Sequence, residues 1–202
     1  MIPGLDRFLG EQPFMSIKPG PKPGLTIEGK FWFFATAAGR ESIRDTYELT
    51  LEVPERFPKA VPRVTECGYR IPRTAAFHVN GDGSLCLGSE LRLRLQLAEH
   101  PSLPGFSSVC LVPYLYAISH KLKYGGKLPF GELDHGAPGE LADYADLFGL
   151  ASPAAAQRAV ELLRTKKRLA NKRPCPCGCG RRLGGCKFNR TIRRFRGILE
   201  GW

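Results

Sequence analysis

Seven residues, Tyr47-Glu-Leu-Thr-Leu-Glu-Val53, alternate apolar and polar without a break. A period of two belongs to a strand with one buried and one wet face, the pattern of an antiparallel sheet. Upstream, Leu25 to Thr36 is rich in Ile, Phe and Trp and predicts a strand before it, with Ala37-Ala-Gly-Arg40 as the turn between them. Downstream, residues 61–71 predict a third strand. Pro62 cannot donate within a ladder, so this segment lies at an edge or starts just after the proline. Ahead of the strands, Ile17 to Gly24 holds three prolines and reads as an extended lead-in, after a helical turn at 3–10.

After this meander comes His78-Val-Asn-Gly-Asp-Gly-Ser-Leu-Cys86-Leu-Gly88. Gly81-Asp82-Gly83 is a turn signal, because glycine enters the left-handed region without steric cost. Cys86 follows the turn, with Asn80 and His78 before it. A thiol on a tight loop beside an amide side chain can serve as a nucleophile with its own oxyanion donor. The same residues also fit a buried cysteine in a hairpin, since free cysteine packs as a small hydrophobe.

Beyond the loop, Leu91-Arg-Leu-Arg-Leu-Gln-Leu97 alternates strictly and predicts a short strand or an amphipathic turn. Residues 107–124 predict a helix capped by Ser107 or Ser108, with Pro113 inside its first two turns. Gly125-Gly126 ends it. The loop 128–136 carries Glu132, Asp134 and His135, which either approach the active site or belong to a rigid surface loop with a capping Asp. Residues 139–148 and 152–169 predict two more helices. Ser152-Pro153 supplies N-cap and first-turn residues, and Ala155, Ala159, Leu162 and Leu163 form the apolar face.

The net charge of +11 is concentrated. Residues 158–202 carry fourteen Lys or Arg against two Glu, whereas residues 1–157 carry sixteen basic and seventeen acidic residues. A near-neutral body with a basic tail suggests nucleic acid or another acidic surface, or a solvated face. No run of eighteen apolar residues argues for a membrane span, and the N-terminus has no secretory pattern. Seven cysteines, four of them crowded into 175–186, point to metal binding in a reducing, cytoplasmic compartment.

The order of these features resembles the ubiquitin-conjugating enzymes. The matching residues are the Tyr47–Val53 strand, Phe57-Pro58, Val61-Pro62, His78-Val-Asn80 and Gly83-Ser-Leu-Cys86-Leu. In that family a meander and a proline-rich crossing lead to a His-Pro-Asn tripeptide upstream of the active cysteine, and a helix follows. Val79 stands where the family has proline, and the His-to-Cys spacing is shorter than in the eukaryotic enzymes. The compact loop and the body that follows look more like the bacterial members found beside antiphage nucleotidyltransferase genes (CBASS-type defence).

The resemblance implies an α+β fold over 25–150. It also implies transfer of a protein's activated C-terminus onto Cys86 as a thioester, and from there to an amine. Asn80 would donate to the oxyanion or shape the loop that does so, and His78 would order the loop. His135 is a further candidate at the site. The carried protein would be a cGAS-like nucleotidyltransferase or a ubiquitin-like protein. A separate activating enzyme is implied, since the chain has no Gly-x-Gly-x-x-Gly fingerprint.

In the tail, Cys175, Cys177, Cys179 and Cys186 could give four thiolates to one tetrahedral Zn²⁺. The segment resembles the SEC-C motif, a small zinc module. Cys175, Cys177, Gly180 and Cys186 match it, Lys187 replaces its last ligand, and Cys179 could be the fourth ligand instead. A reduced basic tail is the plainer alternative. Phe188 to Arg196 interleaves aromatic and basic residues, which suits a nucleic-acid backbone with base stacking, or an acidic protein face.

The expected organisation is a lead-in (1–24), a conjugating-like domain (25–150), a basic helix (151–172) and a zinc-binding tail (173–202). Two rival functions stand beside the transferase. One is an inert binding module whose tail docks nucleic acid or protein. The other is a thiol hydrolase using Cys86 with His78 or His135.

Overall fold

A computed structural model describes residues 1–19, 23–129 and 136–199. The chain is α+β and divides into two compact units, Met1–Glu132 and Leu133–Trp202. The division lies nearer the N-terminus than the expected boundary at 150, because residues 136–148 pack with the C-terminal helices.

The first unit opens with helix α1 (Leu5–Glu11), followed by strands β1 (Met15–Lys18), β2 (Gly24–Ala35), β3 (Ile43–Pro54) and β4 (Arg63–Glu66). They form one antiparallel sheet in chain order. The β2–β3 ladder pairs Ile27 with Leu51 and Phe31 with Tyr47, so the alternating apolar residues of both strands fall on one face. Ile27, Phe31, Tyr47, Leu49, Leu51 and Val53 are buried there, with Phe8 of α1 stacked on Phe31 at 6.3 Å. β1 replaces part of the predicted irregular lead-in. It approaches β2 so closely that a Cβ on Gly29 would lie 2.0 Å from the Phe14 carbonyl oxygen, and Gly29 has φ +142°. Only glycine fits there.

Residues 91–97 are neither strand nor turn but part of helix α2 (Glu90–Glu99). Ser89 caps it by accepting from the Arg92 N–H, and Arg94 pairs with Glu90 one turn back at 2.7 Å. The next helix starts earlier than predicted. Ser102, not Ser107 or Ser108, accepts from the Gly105 N–H and opens α3 (Leu103–Phe106). A π-helical turn (Ser107–Leu111) then leads into α4 (Val112–Tyr124).

Pro113 accounts for much of this irregularity. It has no N–H to give to the Val109 carbonyl one turn back. The Gln96 side chain of α2 supplies a donor, with Nε2 3.2 Å from the Val109 oxygen. Its Oε1 accepts from the Cys110 thiol at 3.3 Å. One amide thus meets two groups at the widened turn and ties α2 to it.

A polar cluster fixes α4 to the sheet. The Tyr47 hydroxyl lies 2.7 Å from Ser119 Oγ, which donates to Asp45 at 2.7 Å. Arg70 clamps the same carboxylate with both terminal nitrogens, at 2.9 and 3.1 Å. Burial raises the Asp45 carboxyl, but hydrogen bonds from Arg70, Ser119 and the Thr46 N–H outweigh it and hold the group below its ordinary value.

The second unit contains α5 (Gly136–Phe148), α6 (Pro153–Arg164), α7 (Lys167–Ala170) and α8 (Asn189–Ile198). Ser152 caps α6 as expected. Phe148 of α5 meets Phe195 of α8 edge-on at 4.7 Å. Arg196 donates to the Leu162 and Thr165 carbonyls at the end of α6. Among the described residues, no helix is long and apolar enough to cross a membrane.

Gln96→Ala deprives the Val109 carbonyl of its donor and the Cys110 thiol of its acceptor. It is expected to lower unfolding stability by about 1–2 kcal/mol, measured as a shift in urea midpoint. An unchanged midpoint would show that the π turn satisfies itself.

Candidate active site and metal centre

The 78–86 segment is a hairpin seated on the outer edge of β4. The Leu85 N–H donates to the Val64 carbonyl at 2.8 Å, and Ser84 bridges to Thr65. Within the hairpin Val79 faces Leu85, Asn80 N–H donates to Ser84 O, and Cys86 N–H donates to His78 O, both at 2.8 Å. Alternation therefore sends Val79 and Leu85 to one face and Asn80, Ser84 and Cys86 to the other.

The tip closes from Gly83 N–H to Asn80 O at 2.9 Å, with Gly83 in the left-handed region at φ +81°. The Asp82 carboxylate accepts from the Ser84 N–H at 3.0 Å and its hydroxyl at 2.6 Å, and Arg63 of β4 pairs with it at 3.1 Å.

The arm entering the hairpin is held from the other side. A 3₁₀ turn (Ala75–Phe77) ends at His78, which takes φ +51°. Tyr114 of α4 donates its hydroxyl to the Phe77 carbonyl at 2.8 Å, with His78 O at 3.4 Å. Lys121, two turns further on, donates to Ala76 O at 2.7 Å.

The structure thus brings His78, Asn80 and Cys86 together on one hairpin. The Asn80 amide donates to Ser84 Oγ at 2.9 Å, so in this state it braces the hairpin. Cys86 is half-buried. Burial pushes its thiol above the ordinary value, and a hydrogen bond from the Gly88 N–H recovers part of the rise. His135, with Glu132 and Asp134, lies outside the described residues.

Sequence reasoning missed Tyr114, Ser84 and Arg63. The signal for Tyr114 was a tyrosine in a helix otherwise facing the core, where a buried hydroxyl needs an acceptor.

In the second unit, the Sγ atoms of Cys175, Cys177, Cys179 and Cys186 lie within 4.8 Å of one another and could hold a metal ion. A small hairpin presents the first three, with Pro174 bridged to Arg182 and Cys175 N–H donating to Arg181 O at 2.9 Å. Gly178 and Gly180 supply its left-handed positions, at φ +78° and +71°. Cys186 ends a 3₁₀ turn (Leu183–Gly185), and the Phe188 N–H lies 3.5 Å from its sulfur. That backbone donor, with the neighbouring thiols, pulls Cys186 down to about 7.

No protein-family model, curated protein or solved structure matches the chain.

Two outcomes are expected. Pulsed iodoacetamide labelling across about pH 7 to 10.5, read by peptide mass, should show Cys86 reacting more slowly than free cysteine at neutral pH. Its rate should rise only above the ordinary thiol range; a midpoint at or below about 8.5 would contradict the burial argument. Elemental analysis should find one metal ion per chain, lost on Cys175→Ser, with chelation destabilising the second unit while the first keeps its own transition.

Proposed function

We propose that the chain is a ubiquitin-conjugating-like acyltransferase that carries a protein C-terminus on Cys86. The observation that carries this reading is the seating of Cys86. A meander leads to a hairpin docked on its last strand, and the helix that follows holds that hairpin's entry arm through Tyr114. A nucleophile anchored from two sides keeps its position while a large partner docks.

In the first step Cys86 Sγ bonds to the activated acyl carbon. The activating group leaves with its electron pair, and the thiol proton goes to solvent or to that group. In the second step an amine attacks the same carbon, the C–S bond breaks, and the amine's proton is made up to the departing sulfur. A thioester suits this relay because sulfur is both a good nucleophile and a good leaving group. Burial raises the Cys86 thiol, so loading requires that its proton be removed as the activated donor docks.

The carried protein is a cGAS-like nucleotidyltransferase or a ubiquitin-like protein in bacterial antiphage defence, loaded by a separate activating enzyme in a reducing cytoplasm. The metal is zinc in a SEC-C-like knob. A tetrahedral site with Zn–S of ~2.3 Å has S···S edges of ~3.8 Å. The Cys177–Cys186 and Cys179–Cys186 pairs stand near that edge at 3.6 Å, and the Cys175–Cys177 pair is shorter at 3.2 Å. Zinc would be structural there, contributing folding energy to a segment poor in apolar residues.

One observation favours a second reading, an inert scaffold with a binding tail: the Asn80 amide is engaged by Ser84. Purifying Cys86→Ser from its native host under denaturing conditions separates the two. The transferase reading expects an ester at position 86 bearing another protein's C-terminal residues. A clean mass at position 86, with wild type free of any thiol-sensitive adduct, would transfer the weight to the scaffold.

A further inference from the structure

The second unit gathers exposed cations around its four cysteines. α8 separates cleanly into two faces. Asn189, Ile192 and Phe195 are buried, whereas Arg190, Arg193 and Arg194 are exposed on one stripe. Gly197 continues that stripe and leaves open space over the backbone. The stripe begins four residues after Cys186, with Asn189 N–H bonded to Cys186 O and Arg190 N–H to Lys187 O.

On the other side of the cysteines, the backbone of Arg173 accepts from Leu183, and Arg181 and Arg182 pair with Cys175 and Pro174. Arg173, Arg181, Arg182, Lys187, Arg190 and Arg193 are all exposed, and together they flank the knob. Four thiolates around a divalent ion would leave −2 at the centre, so these six keep an excess of +4. Between residues 158 and 199 the sole acidic residue is Glu161. Like charges within a Debye length of one another repel, and a polyanion with regularly spaced charges relieves that repulsion.

The kind of polyanion is narrowed by what the described residues of this surface present. The interleaved phenylalanines that suggested base stacking are not available for it. Phe195 is 3% exposed in the helical core, and Phe188 is partly buried. Among the described residues of this unit, the exposed large hydrophobic is Leu169, which is no aromatic platform. A single-strand binder needs stacking faces, and a membrane-surface helix needs an apolar face to insert. α8 offers neither.

We infer that the cations flanking the cysteine knob form a docking surface for the phosphate backbone of a nucleic-acid duplex, bound without regard to base sequence. The contacts are long Arg and Lys side chains to successive phosphates, the part of recognition that positions a protein but reads no sequence. This surface is independent of Cys86 and stands whether or not the transferase reading holds.

The test uses the full metal-loaded chain and fluorescence anisotropy with DNA duplexes of about 20 base pairs in two unrelated sequences, (dT)20 and polyglutamate, over a series of salt concentrations. Both duplexes are expected to bind equally, and (dT)20 more weakly. Arg190→Gln/Arg193→Gln should weaken duplex binding by about an order of magnitude and flatten the log K against log salt slope by about two. Arg56→Gln/Lys59→Gln, exposed cations of the first unit, should leave the slope unchanged. Metal content and circular dichroism confirm that each variant is folded. The proposal is overturned by no duplex binding at about 50 mM salt, by a slope that the α8 variant leaves intact or the control variant flattens equally, or by preference for (dT)20. Displacement by polyglutamate at equal charge would also overturn it and assign the surface to an acidic protein.

Discussion

The hydrogen bond from Leu85 N–H to the Val64 carbonyl is the join on which the placing of Cys86 depends. An edge strand exposes a row of unpaired backbone groups, and here part of that row is used to seat the Cys86 hairpin. The Arg63–Asp82 pair fixes the tip to the same strand, and Tyr114 fixes the entry arm to α4. The position of the sulfur is therefore referred to the sheet on one side and to the long helix on the other. The same seating half-buries Cys86 and raises its thiol, so the thiol's location and its protonation have one cause.

The strands were legible because their residues see one environment on each face. Tyr47–Val53 alternates, and its odd-numbered positions are buried as the alternation demands. β1 was hidden because only four residues pair, directly before Pro19. The Leu-Arg repeat at 91–97 misled because period two and the helical period share positions over so short a run. Leu91, Leu93 and Leu97 are buried, while Ser89 as cap and the Glu90–Arg94 spacing were the better guides. The helix after it was mis-started because a π turn breaks the 3.6-residue rhythm. Ser102 followed by Pro104 was the sequence signal for its true beginning.

The candidate site was legible where residues close in sequence are also close in space. His78, Asn80 and Cys86 share one hairpin, and the four cysteines share one knob. What escaped was whatever arrives from a distance: Arg63 from β4 and Tyr114 from α4, whose roles depend on tertiary approach and leave no local pattern. In the tail, composition suggested aromatic stacking. The helical period instead turned Phe195 inward and left a purely cationic stripe outside.

The two candidate sites differ in when they can exist during synthesis. The four cysteines span twelve residues, so bringing them together closes only a short loop, and the knob can form as soon as its own segment clears the ribosome. The Cys86 hairpin draws its supports from Val64 and Tyr114, fifty positions apart. While the nascent chain ends short of Tyr114, the thiol lacks the helix that holds its entry arm. The geometry around Cys86 is thus a late product of folding even though its residues are made early, and the cysteine knob, though made later, completes itself with the least delay.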